Sequence, residues 1–496
     1  MADHSSSYPT IIKSTGIIGG AELISNVFGV IRTKIIAVLL GPAGLGIIGL
    51  FLSTLEIIKN ITGLGIGFSS IKDIAAVPGS PNKVARSVSI LRNWIWFTGS
   101  AGMLLAIIFR KLISQITFGS ESYSNAIALL SVTILLGTIS DGQVGILQGL
   151  RRMDKMAKVK IGSSLTALFL ALPFLYYYRY DGIVTYLIVI SFSALILTWF
   201  YEGMEKIKHV KIPLNNTIRE GVGMVKLGFF TVLAGLSTLG TMYLVRILIS
   251  REMGIEAVGI FQAAWSISVM YLASVLNAMS ADYFPRLCSE NTRPERMNIL
   301  VNEQTEMVLL ISGPVIIIML SFMNILVPLF FSEKFISAVD ILQWQVVGSI
   351  PEIIFWPISF ILLALGKGKL FIILNIFVNL SYLVITWFML KVWGLEAVGI
   401  AHLFSNLIYL IITLFLVRQL VNFRYSRLSL RYIVVFLILG VLSFLSRYFI
   451  ASGWEYLIGG LLTGITLIYS WRELNKLFDV KSFLRNLLSR RQKTDY

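Results

Sequence analysis

Ionisable and amide side chains stand inside stretches that are otherwise apolar, and these are the residues of the 496-residue chain best placed to do chemistry. The stretch 14–39 holds Glu22, Asn26, Arg32 and Lys34, and the stretch 45–70 holds Glu56, Lys59 and Asn60. Glu22 with Asn26, and Glu56 with Asn60, are four apart, so each pair shares one helical face. A charge at the centre of a bilayer costs roughly 2.5–3.5 kcal/mol on insertion scales, so such groups turn to a water-filled cavity or to a partner. These faces are therefore expected to line a polar interior. Arg32 precedes Gly41 by nine residues, about 13 Å along a helix, and Arg246 precedes Gly254 by eight. Two guanidinium groups at similar depth could pair across an interface; snorkelling to the headgroups is the alternative, as it is for Lys34.

Glu56 and Lys59, three apart, could simply neutralise each other. Asp141 and Gln143 interrupt the stretch 124–149, Gln262 and Asn277 the stretch 257–282, and Asn375 with Asn379, like His402 with Asn406, form i, i+4 polar pairs. Interhelical hydrogen bonds worth about 0.6–2 kcal/mol are one use for such groups, and ligand contacts the other. Glu352, between Pro351 and Pro357, predicts an interrupted helix whose freed backbone groups line a cavity, or else a packing kink. Glu22, Glu56 and Asp141 are the acidic groups at depth that could couple to an ion. Catalytic signatures are missing. GKGK at 366–369 lacks the upstream Gly and the following Ser or Thr of a phosphate-binding loop. His4, His209 and His402 show no zinc spacing, and the single cysteine, Cys288, leaves no intramolecular disulfide. Neither a metal nor a cofactor is expected, and no enzyme.

Composition fixes what must position these residues. The chain is 56% hydrophobic and 14% charged, against roughly a quarter charged in soluble domains, and its mean hydropathy is +0.80. Apolar stretches of 18 or more residues recur from end to end, and each reads as a membrane-spanning helix. The fold class is therefore all-α and polytopic, and continuous rather than alternating apolar runs exclude a β-barrel. Fourteen spans are predicted, at 14–39, 45–70, 87–109, 124–149, 159–178, 183–203, 226–249, 257–282, 305–331, 339–364, 370–391, 397–418, 432–450 and 455–471. MADHSSSYPTIIK has no short apolar core with a cleavage site, so no cleaved signal peptide is expected. The net charge of +16 sits in short clusters between spans, the distribution of orientation signals rather than of nucleic-acid contacts. With the N-terminus inside, about thirty Lys and Arg fall on the cytoplasmic side, among them the cluster Arg151 to Lys160. The other side receives Arg110, Lys111, Arg179, Arg251, Lys334, Lys391 and Arg447. Both termini are then cytoplasmic.

A repeat is visible in the turns. LGPAGLGI starts at Leu40 and MGIEAVGI at Met253, 213 residues later; DGIV at Asp181 and WGLEAVGI at Trp393 stand about 212 apart. Chance likeness of Gly-rich turns is the bland alternative. A six-helix unit enters twice from the same side, giving parallel repeats about an axis along the membrane normal. The expected divisions are 1–210 and 211–425 for two six-helix lobes, 426–472 for two extra helices and 473–496 for a basic tail. That tail is either an amphipathic helix on the inner leaflet or a solvated end.

LGPAGLG at 40–46, AVGIFQAAWSIS at 257–268, YFPRL at 283–287, FSEKF at 331–335 and ILQWQVVG at 341–348 cover both lobes in order. On these stretches the chain resembles the bacterial polysaccharide transporters, or O-antigen flippases, of the multidrug/oligosaccharidyl-lipid/polysaccharide exporter superfamily. The resemblance implies alternating-access flipping of an undecaprenyl-diphosphate-linked oligosaccharide across the bacterial inner membrane. Polysaccharide polymerase and chain-length proteins would be candidate partners, beside membrane lipids. It also implies a cavity role for Arg32, which stands in NVFGVIRTK, and draws attention to Gln262 and Trp344. The physics agrees, since a diphosphate needs cations such as Arg32, Arg246 and Lys59 to replace its hydration. The sugar needs donors and acceptors such as Asn26, Gln262, Asn375 and Asn379. A multidrug/cation antiporter of the same superfamily and an integral membrane glycan polymerase or ligase are the competing readings. Helices 13 and 14 depart from the commoner twelve-helix plan.

Overall fold

The computed structural model describes residues 7–66, 71, 74–75, 80–208, 210–449 and 454–477. Lys72, His4, His209 and the tail from 478 onward, with its expected amphipathic helix, lie outside them. Among the described residues there are fifteen α-helices and no strand. The first seven are α1 (Ser7–Gly63), α2 (Pro81–Ile108), α3 (Arg110–Phe118), α4 (Ser124–Gly149), α5 (Met153–Thr166), α6 (Leu172–Tyr178) and α7 (Gly182–Gly203). After them come α8 (Leu214–Met253), α9 (Ile255–Ser289), α10 (Pro294–Phe330), α11 (Ala338–Ala364), α12 (Gly368–Trp393), α13 (Glu396–Val421), α14 (Arg427–Phe449) and α15 (Trp454–Leu477). Each of the fourteen predicted spans overlaps one or more of these helices.

Among the described residues eight segments are long and apolar enough to cross a membrane, nine if α2 and α3, bent by 72°, count as one. Two of the eight, 19–63 with 45 residues and 153–203 with 51, are each about twice the 20 or so residues that one crossing takes. The first holds two spans, broken at Gly41 (φ 66°) just before Pro42. A left-handed residue followed by one without an N–H cannot continue a helical ladder. The second holds α5, a π-helical turn at Ala167–Ala171, α6, and then α7 after Arg179 (φ 51°).

The chain separates into two compact units, 1–260 with 330–334, and 261–329 with 335–496. In the first unit the repeated turns share their geometry and touch. Gly41 and Gly254 both have positive φ, at 66° and 88°. A Cβ on Gly46 would collide with the Ile255 carbonyl oxygen, and one on Gly259 with that of Pro42. Gly46 corresponds to Gly259 and Pro42 to Ile255, so the contact is reciprocal, as a twofold-related pair of repeats requires. In the second unit the similar turn at Gly394 also has positive φ, at 58°, and Gly399 lies against the Ile341 carbonyl.

The core of the second unit is built on α11, where Ile358, Ile361 and Leu362 are fully buried against Tyr283, Leu287, Val301 and Val417. The interruption expected at Glu352 is not there: α11 runs unbroken from 338 to 364 with Pro351 and Pro357 inside it. Neighbouring donors reach carbonyls along this stretch. Tyr283 donates to Pro357 O at 2.8 Å, Tyr425 to Ile354 O at 3.2 Å and Asn406 to Gly348 O at 2.9 Å. Prolines cost a helix its bonds only where nothing replaces them. Tyr425 sits in the link between α13 and α14, and burial pushes its phenol well above the usual tyrosine range, so it stays a donor.

The helices beyond the repeat are tied in by polar groups. Asn302 of α10 accepts from Ser426 N (2.7 Å) and Ser429 Oγ (2.8 Å) and donates to Arg424 O (3.0 Å), which caps the start of α14. Glu306 accepts from the Ser426 hydroxyl at 2.9 Å and, 2.8 Å from Ser429 Oγ, shares that hydroxyl's single hydrogen with Asn302. Toward the far end, Arg447 donates to Asp340 at 2.9 Å and to Gln343 at 3.2 Å.

Candidate functional site

Within the first unit α1, α4, α5 and α7 enclose a cleft of about 550 Å³ whose lining includes Arg32, Glu22, Ser25, Lys160, Ser164 and Thr198. Arg32 is half-buried on the same face of α1 as Ser25 and Glu22, and the spacing of seven and ten residues returns to one side of a 3.6-residue helix. Lys160 of α5 forms an ion pair with Glu22, and Ser25 and Ser164 share a hydrogen bond between their hydroxyls. Ser164 also donates to Lys160 O at 3.0 Å, its own helix absorbing one hydrogen. Cation, carboxylate and hydroxyls thus converge on one cleft.

A second cleft, of about 400 Å³, lies on the other side of α4, with Val144 lining both. Lys59, Asn60, Thr98, Thr138, Asp141 and Gln148 are its polar lining. Lys59 Nζ stands 2.8 Å from Asp141 Oδ2, and the two side chains are 32% and 64% exposed. The pair is therefore open to the cleft rather than sealed in protein. Gly137 and Gly142 leave α4 narrow here: a Cβ on Gly137 would touch the Lys59 chain at 3.6 Å. The mutual neutralisation of Glu56 and Lys59 is replaced by this longer-range partner, and Glu56 is exposed.

The structure brings together Arg32 with Glu22, and Lys59 with Asp141. Asn26 is half-buried in α1 and Arg246 half-buried in α8, and neither lines these two clefts. The remaining candidates belong to the second unit. Gln262 reaches Ser266 within its own helix at 3.4 Å. Asn375 donates to Phe371 O at 2.9 Å and to the Tyr409 hydroxyl at 3.4 Å, tying α12 to α13, with Asn379 half-buried one turn further on. Asn406 ties α13 to α11. The hydrogen-bonding role is what Asn375 and Asn406 perform here.

Three features escaped the reading of the sequence. Lys160 was counted among orientation signals, yet its spacing with Ser163 and Ser164 puts all three on one helical face. The hydroxyls of Ser140, Ser163, Ser164 and Thr198 barely alter hydropathy and leave no trace in a span prediction. Glu352 and His402, noted separately, stand 3.9 Å apart in the second unit. His402 Nε2 lies 3.3 Å from the Asn406 amide nitrogen.

The lipid III flippase of Escherichia coli (strain K12) is 22% identical over 360 residues, spanning 70% of this chain and 84% of that protein. Among solved structures, the lipid II flippase MurJ in an inward closed conformation aligns with a TM-score of 0.74 at 15% identity, covering 92% of this chain and 98% of that one. A multidrug resistance MATE family transporter of the MOP superfamily, inward-facing, aligns with a TM-score of 0.66 at 16% identity, covering 80% and 94%. These alignments establish a transporter fold of the MurJ and MATE kind in a multi-pass membrane protein. Residues 35–340 match the family described as polysaccharide biosynthesis protein. That match takes in more than half of the sequence, the Lys59 cleft and the paired turns, while Glu22, Ser25 and Arg32 precede it, and by it the chain belongs to the polysaccharide biosynthesis protein family.

Proposed function

We propose that the chain is a flippase that moves an undecaprenyl-diphosphate-linked oligosaccharide, such as an O-antigen repeat unit, from the cytoplasmic to the periplasmic leaflet of the bacterial inner membrane. The observation that carries this reading is the cleft around Arg32, where a guanidinium and an ammonium line one space with hydroxyls. A diphosphate loses its water only where cations and donors replace it, and a guanidinium offers the matching fork. Lys59, in the neighbouring cleft, is the second cation within reach of α4. Arg246, Asn26, Gln262, Asn375 and Asn379 are assigned to the wider substrate path.

Each cleft ammonium already holds a carboxylate, Lys160 with Glu22 and Lys59 with Asp141. A phosphate that takes the ammonium releases the carboxylate, which can then accept a proton or cation; this is how coupling to an ion gradient would enter. Glu56 is the third candidate. Alternating access between lobes 1–210 and 211–425, with 426–472 as added helices and both termini cytoplasmic, completes the proposal.

In cells that depend on this chain, Arg32→Ala should abolish surface polysaccharide at wild-type protein level, and Arg32→Lys should retain part of it. Full export by Arg32→Ala would sink the assignment. The polymerase reading has its own test: purified protein incubated with a radiolabelled lipid-linked glycan should form no glycosidic bond.

A further inference from the structure

Glu352 and His402 take no part in the two clefts, and both stand in the second unit. Glu352 is on α11 and His402 on α13, with Oε2 3.9 Å from Nε2. Asn406, one turn after His402, donates through its amide nitrogen to Gly348 O of α11 at 2.9 Å. That bond fixes which end of the amide is nitrogen, and the same nitrogen lies 3.3 Å from His402 Nε2. An amide nitrogen only donates, so the contact is a hydrogen bond while Nε2 carries no proton. The Glu352 oxygen, at 3.9 Å, is beyond hydrogen-bond reach in this arrangement. Gly348 lets the ring in, since a Cβ there would stand 2.8 Å from Nδ1.

A proton reverses these contacts. On Nε2 it meets the Asn406 N–H as a second donor and turns the ring toward the carboxylate. On the carboxyl it gives Glu352 a hydrogen to donate to Nε2. Either way a bond forms between α11 and α13 and the pair passes from one negative charge to none, so the titration belongs to both groups.

The surroundings confine that change to the pair. Trp265 of α9 and Tyr382 of α12 stand edge-on to the imidazole, with ring centroids 5.9 and 6.3 Å away. A phenol keeps its proton up to about pH 10, and α9 carries no charge from 257 to 281. Nor does α14 from 433 to 446, the stretch where Gly440 faces Ile350 of α11. Lys391 lies about 13 Å along α12 from Tyr382, Glu396 about 9 Å along α13 from His402, and Asp340 about 18 Å along α11 from Glu352. Asp340 is held by Arg447, and Glu396 accepts from Trp344 at 3.4 Å. The side chains of His402 and Glu352 are 15% and 29% exposed, so the pair is not sealed. A hard metal cation asks for about six oxygens, whereas an imidazole nitrogen and an N–H share this space with one carboxylate.

We propose that Glu352 and His402 form a proton-binding site, loaded from water, whose occupation adds a bond between α11 and α13. It is separate from Glu22, Glu56 and Asp141, and it does not depend on what the chain carries. In the flippase proposed above, it is the place where a proton gradient acts on the second unit.

The chain has three histidines, so His4→Gln with His209→Gln leaves His402 as the one imidazole. The test uses that full-length double variant, labelled with 15N-histidine, in nanodiscs of phosphatidylethanolamine and phosphatidylglycerol. The Nε2 resonance should move through a single one-proton step between about pH 5 and 8, the range in which imidazole changes charge. Adding Glu352→Gln should displace the midpoint of that step by about one pH unit or more, as removal of a charge some 4 Å away does. Glu352→Asp, which draws the carboxylate back by one methylene, should displace it less, and serves alone where the Gln variant does not fold. A resonance that stays still over this range, or a step that neither variant moves, overturns the site. No substrate enters the measurement, so its failure leaves the flippase reading standing, and full export by Arg32→Ala leaves the proton site standing.

Discussion

Lys59 and Asp141 set the scale of what a single residue does here. With side chains 32% and 64% exposed, their attraction is screened by the water of the cleft, and pairs of that kind contribute about 0.2–1 kcal/mol. Lys59→Ala should therefore shift unfolding of the detergent-solubilised protein by no more than about 1 kcal/mol while cutting surface polysaccharide at least tenfold. A large loss of stability with export intact per folded molecule would make the pair structural. Arg32 and Lys59 were legible because a charge in an apolar run is conspicuous. Lys160 was not, since a lysine at the inner end of a span looks like an orientation signal until the carboxylate opposite it is known. The cleft hydroxyls were invisible for a further reason. Ser164 and Thr138 spend hydrogens on carbonyls of their own helix, at 3.0 and 2.7 Å, which lets them sit in apolar helices at little cost.

At the scale of elements, the long apolar spans were readable because length and hydropathy mark them, and the breaks at Gly41 and Gly254 because glycine takes positive φ without strain. The π-turn was not readable: ALFLA carries no residue that forbids an ordinary helix, and only Pro173 beyond it hints at irregularity. Pro351 and Pro357 misled in the opposite direction, since α11 runs through both without a break. The cap on α14 shows how much one amide can hold. Asn302→Ala strands Ser426 N and the Arg424 carbonyl, a loss of about 1–3 kcal/mol. Trypsin cleavage after Arg424 should accelerate several-fold in the variant. Cleavage at the wild-type rate would mean that Glu306 holds the cap unaided.

For the molecule as a whole, orientation is the property on which the direction of transport depends, and it follows from the asymmetry of Lys and Arg between loops. Cys288 is the single cysteine, so Cys288→Ser gives a clean background for labelling. In intact cells a membrane-impermeant maleimide should modify Ser120→Cys, between α3 and α4, and should spare Asn291→Cys, between α9 and α10, until the membrane is permeabilised. The reverse pattern would turn the chain over and every transport step with it. The two compact units were less legible than the spans. Sequence spacing marks where a repeat begins, whereas the boundary after residue 260 arises from which helices touch. The reciprocal contact of Gly46 and Gly259 belongs to that scale too. Two stretches of main chain meet there with no side chain between them, so neither position can be trimmed, enlarged or recharged to suit a new cargo. Under the proposed function, diversification toward other sugars would be left to the cleft walls, with the paired turns as the fixed frame around which a lineage of such carriers varies.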